Sequence, residues 1–219
     1  MYICHIDIQM NFYTIIIQIK SIEEGLISMI PFNHLGWVFK YMSPLIYPHT
    51  VHKSLCSFLK PVSDQASVLD LGAGTGIMSE FAYACRSDLQ FIAVDPAEGM
   101  LKFSAEYVQT HKGNAEALPF ESERFEAIMI GEALHHFQDV DKSIQEMVRV
   151  LKKEGRLFIY DFDSSTFIGK LLCLVEKLFG EPANFFAPDK LKEMLKTHGF
   201  TVDISQYGWR YTIAAQLEK

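Results

Sequence analysis

The chain has little cysteine, no dense basic run and no long apolar stretch, and each shortage removes a class of protein. Its four cysteines, Cys4, Cys56, Cys85 and Cys173, lie far apart with no CxxC pair. That spacing signals neither a zinc site nor a disulfide framework, so the expectation is no metal and reduced thiols in a cytoplasm. Lysine and arginine total 20 against 27 acidic residues, a formal charge of −7. Nothing there is organised to neutralise a phosphate backbone, and nucleic acid is not an expected partner. The longest apolar run near the start, Phe12 to Ile17, is too short to span a bilayer, so no transmembrane segment is expected. Residues 1–20 also lack the basic start and small-residue cleavage site of a signal peptide.

What is present is a globular composition, 49% hydrophobic and 21% charged over 219 residues, enough for one domain with one core. Residues 1–30 read as an extension: an extra strand or hairpin arm, or translation upstream of a start at Met29. Residues 31–219 read as the domain, opened by a helical cap over about 31–60 rich in aromatics such as Trp37 and Tyr47. After Pro61 short apolar runs alternate with amphipathic segments, as in βαβ units built on a parallel sheet. Ser67 to Leu71, Gln90 to Val94, Phe125 to Ile130 and Arg156 to Asp161 are the predicted strands. Val140, Ile144, Met147, Val148 and Leu151 recur at helical spacing behind a cap at Asp139, in a helix stopping before Gly155. A second helix is predicted from Pro188 to just before Gly199. Phe200 to Gln206 and Trp209 to Ala215 meet at Tyr207-Gly208, and so short a link demands an antiparallel hairpin. The fold class is thus α/β, a doubly wound sandwich.

Three features carry chemistry. Val68-Leu69-Asp70-Leu71 runs into Gly72-Ala73-Gly74-Thr75-Gly76, a strand entering a turn without Cβ atoms at the start of a helix. Such a turn lets a ligand approach the backbone and helix N–H groups closely; it would also serve as a plain strand-to-helix turn. Asp95 follows at the end of the next strand, just before Pro96, where an acid accepts ribose hydroxyls, or else caps a helix. A dinucleotide fingerprint needs a third glycine where this chain has Ile77, and Asp70 would repel pyrophosphate but favour an ammonium group. The third feature is the end of the fourth strand, Gly131-Glu132, with His135 and His136 following. Either imidazole could accept a proton, or simply cap and pack; Asp161 and Asp163 have similar standing as substrate contacts.

Together, Asp70 to Gly76, Gly113-Asn114-Ala115-Glu116-Ala117-Leu118-Pro119-Phe120 and Ala133-Leu134-His135-His136-Phe137 resemble the class I S-adenosylmethionine (SAM)-dependent methyltransferases, nearest the ubiquinone and menaquinone C-methyltransferases. The resemblance runs from Pro31 to Gln216. It implies a seven-stranded, mostly parallel sheet, with Gly72, Ala73 and Gly74 along the methionine part of SAM, Asp95 and Pro96 at the ribose, Asn114 and Ala115 at the adenine edge, and Gly131 in the same mouth. Relatives often carry aspartate at the place of Asn114, whose amide makes an uncharged contact instead. The activity implied is methyl transfer to a small-molecule acceptor, leaving S-adenosylhomocysteine, with His136 the preferred base and His135 second. The rivals are a SAM-binding sensor or scaffold and a nicotinamide oxidoreductase. Finally, the segment from Phe167 to Phe179 is apolar nearly all round. It suits a core helix, a hydrophobic or aromatic substrate wall, a homodimer face or a membrane-surface contact.

Overall fold

In the computed structural model, residues 47–178 and 182–218 are described; the extension at 1–30 and most of the cap fall outside them. Seven strands form one sheet in the order β3-β2-β1-β4-β5-β7-β6. They are β1 Ser67–Leu71, β2 Gln90–Asp95, β3 Val108–Lys112, β4 Phe125–Gly131, β5 Leu151–Phe162, β6 Phe200–Tyr207 and β7 Arg210–Leu217. The first five pair in parallel, and β7 lies antiparallel between β5 and β6. The helices are α1 His49–Leu59, α2 Ile77–Cys85, α3 Glu98–Leu101, α4 Val140–Val150, α5 Phe167–Leu178 and α6 Pro188–Thr197.

Strand alternation divides the core between the two faces. Leu69, Leu71, Ile128 and Ile159 pack with Ile144 and Met147 of α4 and with Leu191 and Leu195 of α6. Val68, Ala93, Met129 and Phe158 pack with Val51 and Leu55 of α1 and with Met78 and Ala82 of α2. Each such aliphatic side chain, fully withdrawn from water, contributes about 1.5–3 kcal/mol. Asp70 belongs to the second face by parity with Val68, so the pleat drives its carboxylate under α2.

The predicted helix signals hold locally. Asp139 accepts from the Lys142 N–H at 3.0 Å, Pro188 opens α6, and Gly199 follows it at φ 87°. Two differences lie at element boundaries. Helix α4 ends at Val150, and Leu151 already pairs with Phe125 before a bulge in β5. The hairpin turns at Gly208-Trp209, with Tyr207 opposite Arg210.

A disulfide joins Cys56 of α1 to Cys85 at the end of α2, with Cα atoms 5.2 Å apart. This corrects the expectation of unpaired thiols. The cysteines are 29 positions apart in sequence, but α1 and α2 pack side by side on one face of the sheet. Spacing alone could not show this. The expected cytoplasmic setting loses the support it drew from free thiols.

Candidate active site

Sheet order reverses between β1 and β4, and ligands of open α/β sheets bind at the carboxyl edge beside such a reversal. Every predicted site residue lies on or just beyond that edge: Gly72 to Gly74 after β1, Asp95 and Pro96 at β2, Asn114 and Ala115 after β3, Gly131 closing β4, and Asp161 near the end of β5.

The glycine turn is built from left-handed backbone. Gly72, Gly74 and Gly76 have φ of 70°, 53° and 77°, a region side chains rarely enter. The Gly72 and Ala73 N–H groups both donate to the carbonyl of Val94, at 2.8 and 3.1 Å, so they are already engaged. The Gly74 N–H donates to Asp95 Oδ2 at 2.8 Å, and the Ala97 N–H to Asp95 Oδ1 at 2.7 Å. One carboxylate therefore clamps both loops while each oxygen keeps a further acceptor position. Burial raises the Asp95 pKa against the pull of these two N–H groups.

Asp70 is fully buried and accepts from the Ser79 N–H at 3.0 Å and the Ser79 hydroxyl at 2.7 Å. It locks the turn to α2 from below. Its Oδ1 is buried without a hydrogen-bond partner, and burial pushes the carboxyl up to about 6 in spite of the Ser79 donors. Asn114 is exposed just past β3, where the Gly113 N–H bonds to the Asp95 carbonyl, while Ala115 is buried in the core. Glu116 reaches the other way, accepting from the Gln138 and Asp139 N–H groups.

The two histidines differ sharply. His135 is buried, its Nδ1 2.6 Å from Asp161 Oδ1 and its Nε2 3.5 Å from Glu176 Oε1, with the ring stacked on Phe185. Burial disfavours its charge, but Asp161 and Glu176 outweigh that and hold the pKa near 10. His136 lies beside it, ring centroids 4.1 Å apart, and is lowered to about 4 by burial and by the charge of His135. Glu132, with φ of 51°, holds a conformation that strains a side-chain-bearing residue by about 1–3 kcal/mol. Burial pushes its carboxyl to about 8, although Arg210 approaches to 3.5 Å. The Arg210 guanidinium also lies 4.0 Å over the Trp209 ring, which stacks on Phe162. Asp163 is buried and bound to Ser165, turning the chain into α5 rather than facing the mouth.

Helix α5 turns its apolar residues outward. Glu176 faces inward toward His135, while Phe167 and Leu178 are 82% and 77% exposed, and Leu171 and Leu174 also face solvent. This exposure disfavours the core-helix reading among those the sequence left open. Sequence reasoning missed Glu176, Arg210, Phe185 and Trp209, since each lies in a segment without a motif. The one available signal was a lone carboxylate on an otherwise greasy helix.

Residues 69–159 match the methyltransferase domain family. The matched segment covers about two fifths of the chain. It spans β1 to β5 and so holds the glycine turn, Asp95, Asn114 and the two histidines. Outside the matched segment lie α1, α5, α6 and the terminal hairpin. The chain is 37% identical over 109 residues to the ubiquinone/menaquinone biosynthesis C-methyltransferase of Escherichia coli, covering 44% of this chain and 42% of that one. It is 34% identical over 144 residues to the malonyl-[acyl-carrier protein] O-methyltransferase of Methylococcus capsulatus, covering 62% and 52%. Among solved structures, phosphoethanolamine N-methyltransferase 2 of Haemonchus contortus, in complex with SAM, matches with a TM-score of 0.70 at 13% identity, covering 88% of this chain and 61% of that one. At that identity the likeness concerns the fold, which is the Rossmann-like methyltransferase architecture. The chain spans about half the length of the curated relatives it matches.

Proposed function

We propose that this chain transfers a methyl group from SAM to a small-molecule acceptor, leaving S-adenosylhomocysteine. The observation that carries the reading is the clamp at the sheet reversal, where Asp95 joins the left-handed Gly74 to the loop after β2. The site fits a nucleoside carrying a methionine chain. Among the described residues a Cβ on Gly74 would meet the flexible end of Met100, Cε at 3.2 Å, so the bare backbone there leaves a ligand room that a side chain would take. Asp95 retains lone pairs for ribose hydroxyls, and Asn114 is exposed at the β3 end where an adenine edge would lie. Asp70 is placed to act from beneath the turn, as negative charge under the methionine ammonium, and not by contact.

When bound, SAM supplies an electrophilic methyl on a sulfonium. The protein's task is alignment of the acceptor and removal of its proton. Both His135 nitrogens face carboxylates, so His135 positions the cluster, and His136 is the imidazole that meets the acceptor. His136→Ala lowers turnover about 100-fold or more with little change in SAM affinity. Phe162, Phe185 and Trp209 beside Arg210 favour a planar aromatic acceptor with a polar group over a purely greasy one. Release of S-adenosylhomocysteine in the presence of a panel of hydroxylated and amino aromatics tests the reading. Acceptor-dependent release is expected; tight SAM binding with no release from any acceptor would instead make the chain a sensor or scaffold. Among the described residues no helix is long and apolar enough to cross a membrane.

A further inference from the structure

The mouth contains a donor set that methyl transfer by alignment alone does not require. His135, His136 and Glu176 each offer a ligand atom, and the three atoms lie within 4.8 Å of one another. They come from two elements, the turn after β4 and helix α5, so only the fold brings them together. His135 turns Nε2 toward Glu176 and Nδ1 toward Asp161 at 2.6 Å. A carboxylate on the far nitrogen of an imidazole is the outer partner that metal-bound histidines nearly always have. Glu176 Oε2 is buried without a hydrogen-bond partner, and Glu132 adds another carboxylate close by. A buried carboxylate oxygen without a partner carries a desolvation cost that a bound cation would offset.

We propose that His135, His136 and Glu176 bind a divalent first-row transition-metal cation, oriented by Asp161, whose open positions take the hydroxyl oxygen of the acceptor. Two imidazoles and one carboxylate suit ions from manganese to zinc rather than calcium or magnesium, which prefer all-oxygen sites. Three protein ligands leave room for a further one. An acceptor hydroxyl held there ionises more readily and passes its proton to water. Its oxygen then forms the new O–C bond as the C–S bond to the methyl breaks, the sulfur keeping that electron pair. No electron transfer is involved. The ion takes the lone pair of His136, so in the loaded protein it does the work of the imidazole base. The binding site stands on geometry alone, whereas the role given to the ion rests on the methyltransferase reading.

The test is metal binding to the full chain, stripped with chelator and kept oxidised so that Cys56 and Cys85 stay paired. Zinc and manganese are followed by equilibrium dialysis with elemental analysis, cobalt(II) by visible absorption. The expected result is about one ion per chain. Cobalt absorption and stoichiometric zinc should be lost in His136→Ala and Glu176→Gln, and affinity should fall about 10- to 100-fold in Asp161→Asn. SAM titration of the same samples checks the fold and reads the cofactor site separately. Glu176→Gln lies on an exposed helix and provides the conservative variant. Absence of stoichiometric binding, or binding that both ligand variants retain, overturns the proposal whether or not SAM binds; loss of SAM binding alone overturns the methyltransferase reading instead.

Discussion

Asp70 sits in electrostatic conflict: a carboxylate with no exposure, two donors from Ser79 and one oxygen left over. Its pKa rises from 3.8 to about 6, so the folded state binds its proton more tightly than the unfolded chain does. The stability this gives is complete below pH 4 and is lost as pH rises through about 6, at most about 3 kcal/mol. Asp70→Asn should therefore flatten the fall in melting temperature between pH 4 and 7 and raise it at pH 7, while weakening SAM binding. A variant that melts lower at pH 7 than wild type would show the conflict is settled some other way. Burial raises the Asp95 pKa as well, but its carboxylate also holds two loops and, in the proposed function, ribose. Asp95→Ala should weaken SAM by about 1–3 kcal/mol, roughly 5- to 150-fold. Calorimetry reading unchanged affinity in a folded variant would remove Asp95 from the site. Asp95 could be picked from sequence because its role depends on one strand end. The place of Glu176 could not, because it depends on which way α5 faces; Asp70 was singled out from sequence, but not its bonds to Ser79.

At the scale of elements, the readable pieces were those with local causes. The cap at Asp139, Pro188 at the start of α6 and the glycine turn need only nearby residues, and all three stand where expected. Strand β3 did not announce itself. Val-Gln-Thr-His-Lys at the sheet edge buries only Val108, so it lacks the apolar run that marked its neighbours. For α5 composition left four readings open because it shows apolarity and not direction; the exposure of Phe167 and Leu178 disfavours the core helix. The glycine turn yields a sharp prediction: Gly74→Val should abolish SAM binding while circular dichroism stays near wild type. At φ 53° a branched residue is strained, and its side chain would press on Met100 and take the space beside the turn. Normal binding by that variant would leave the turn a purely structural device. The Cys56–Cys85 bond ties α1 to α2, which the turn opens. Cys56→Ser with Cys85→Ser should cost roughly 2–4 kcal/mol in chemical denaturation, and reduction of wild type should do the same. Equal stability with and without reductant would mean the bond is absent in solution.

For the molecule as a whole, one face of α1 and α2 and another of α4 and α6 hold the sheet so that its carboxyl edge gathers residues from five strand ends. The doubly wound architecture was visible in the alternation of short apolar runs with amphipathic helices, and the cofactor half of the site in the glycine turn and Asp95. The acceptor half was not visible, since Glu176, Arg210, Phe185 and Trp209 meet only through the packing of α5 and the terminal hairpin onto the β4 and β5 ends. The central claim is that the clamp between Gly74 and Asp95 holds SAM. Calorimetric titration of the full chain with SAM, S-adenosylhomocysteine and NAD, run beside Asp95→Ala, tests it most directly. Saturable binding of the first two, none of NAD, and weakened binding in the variant are expected; binding of NAD in preference to SAM, or SAM affinity indifferent to Asp95, would overturn the proposed function.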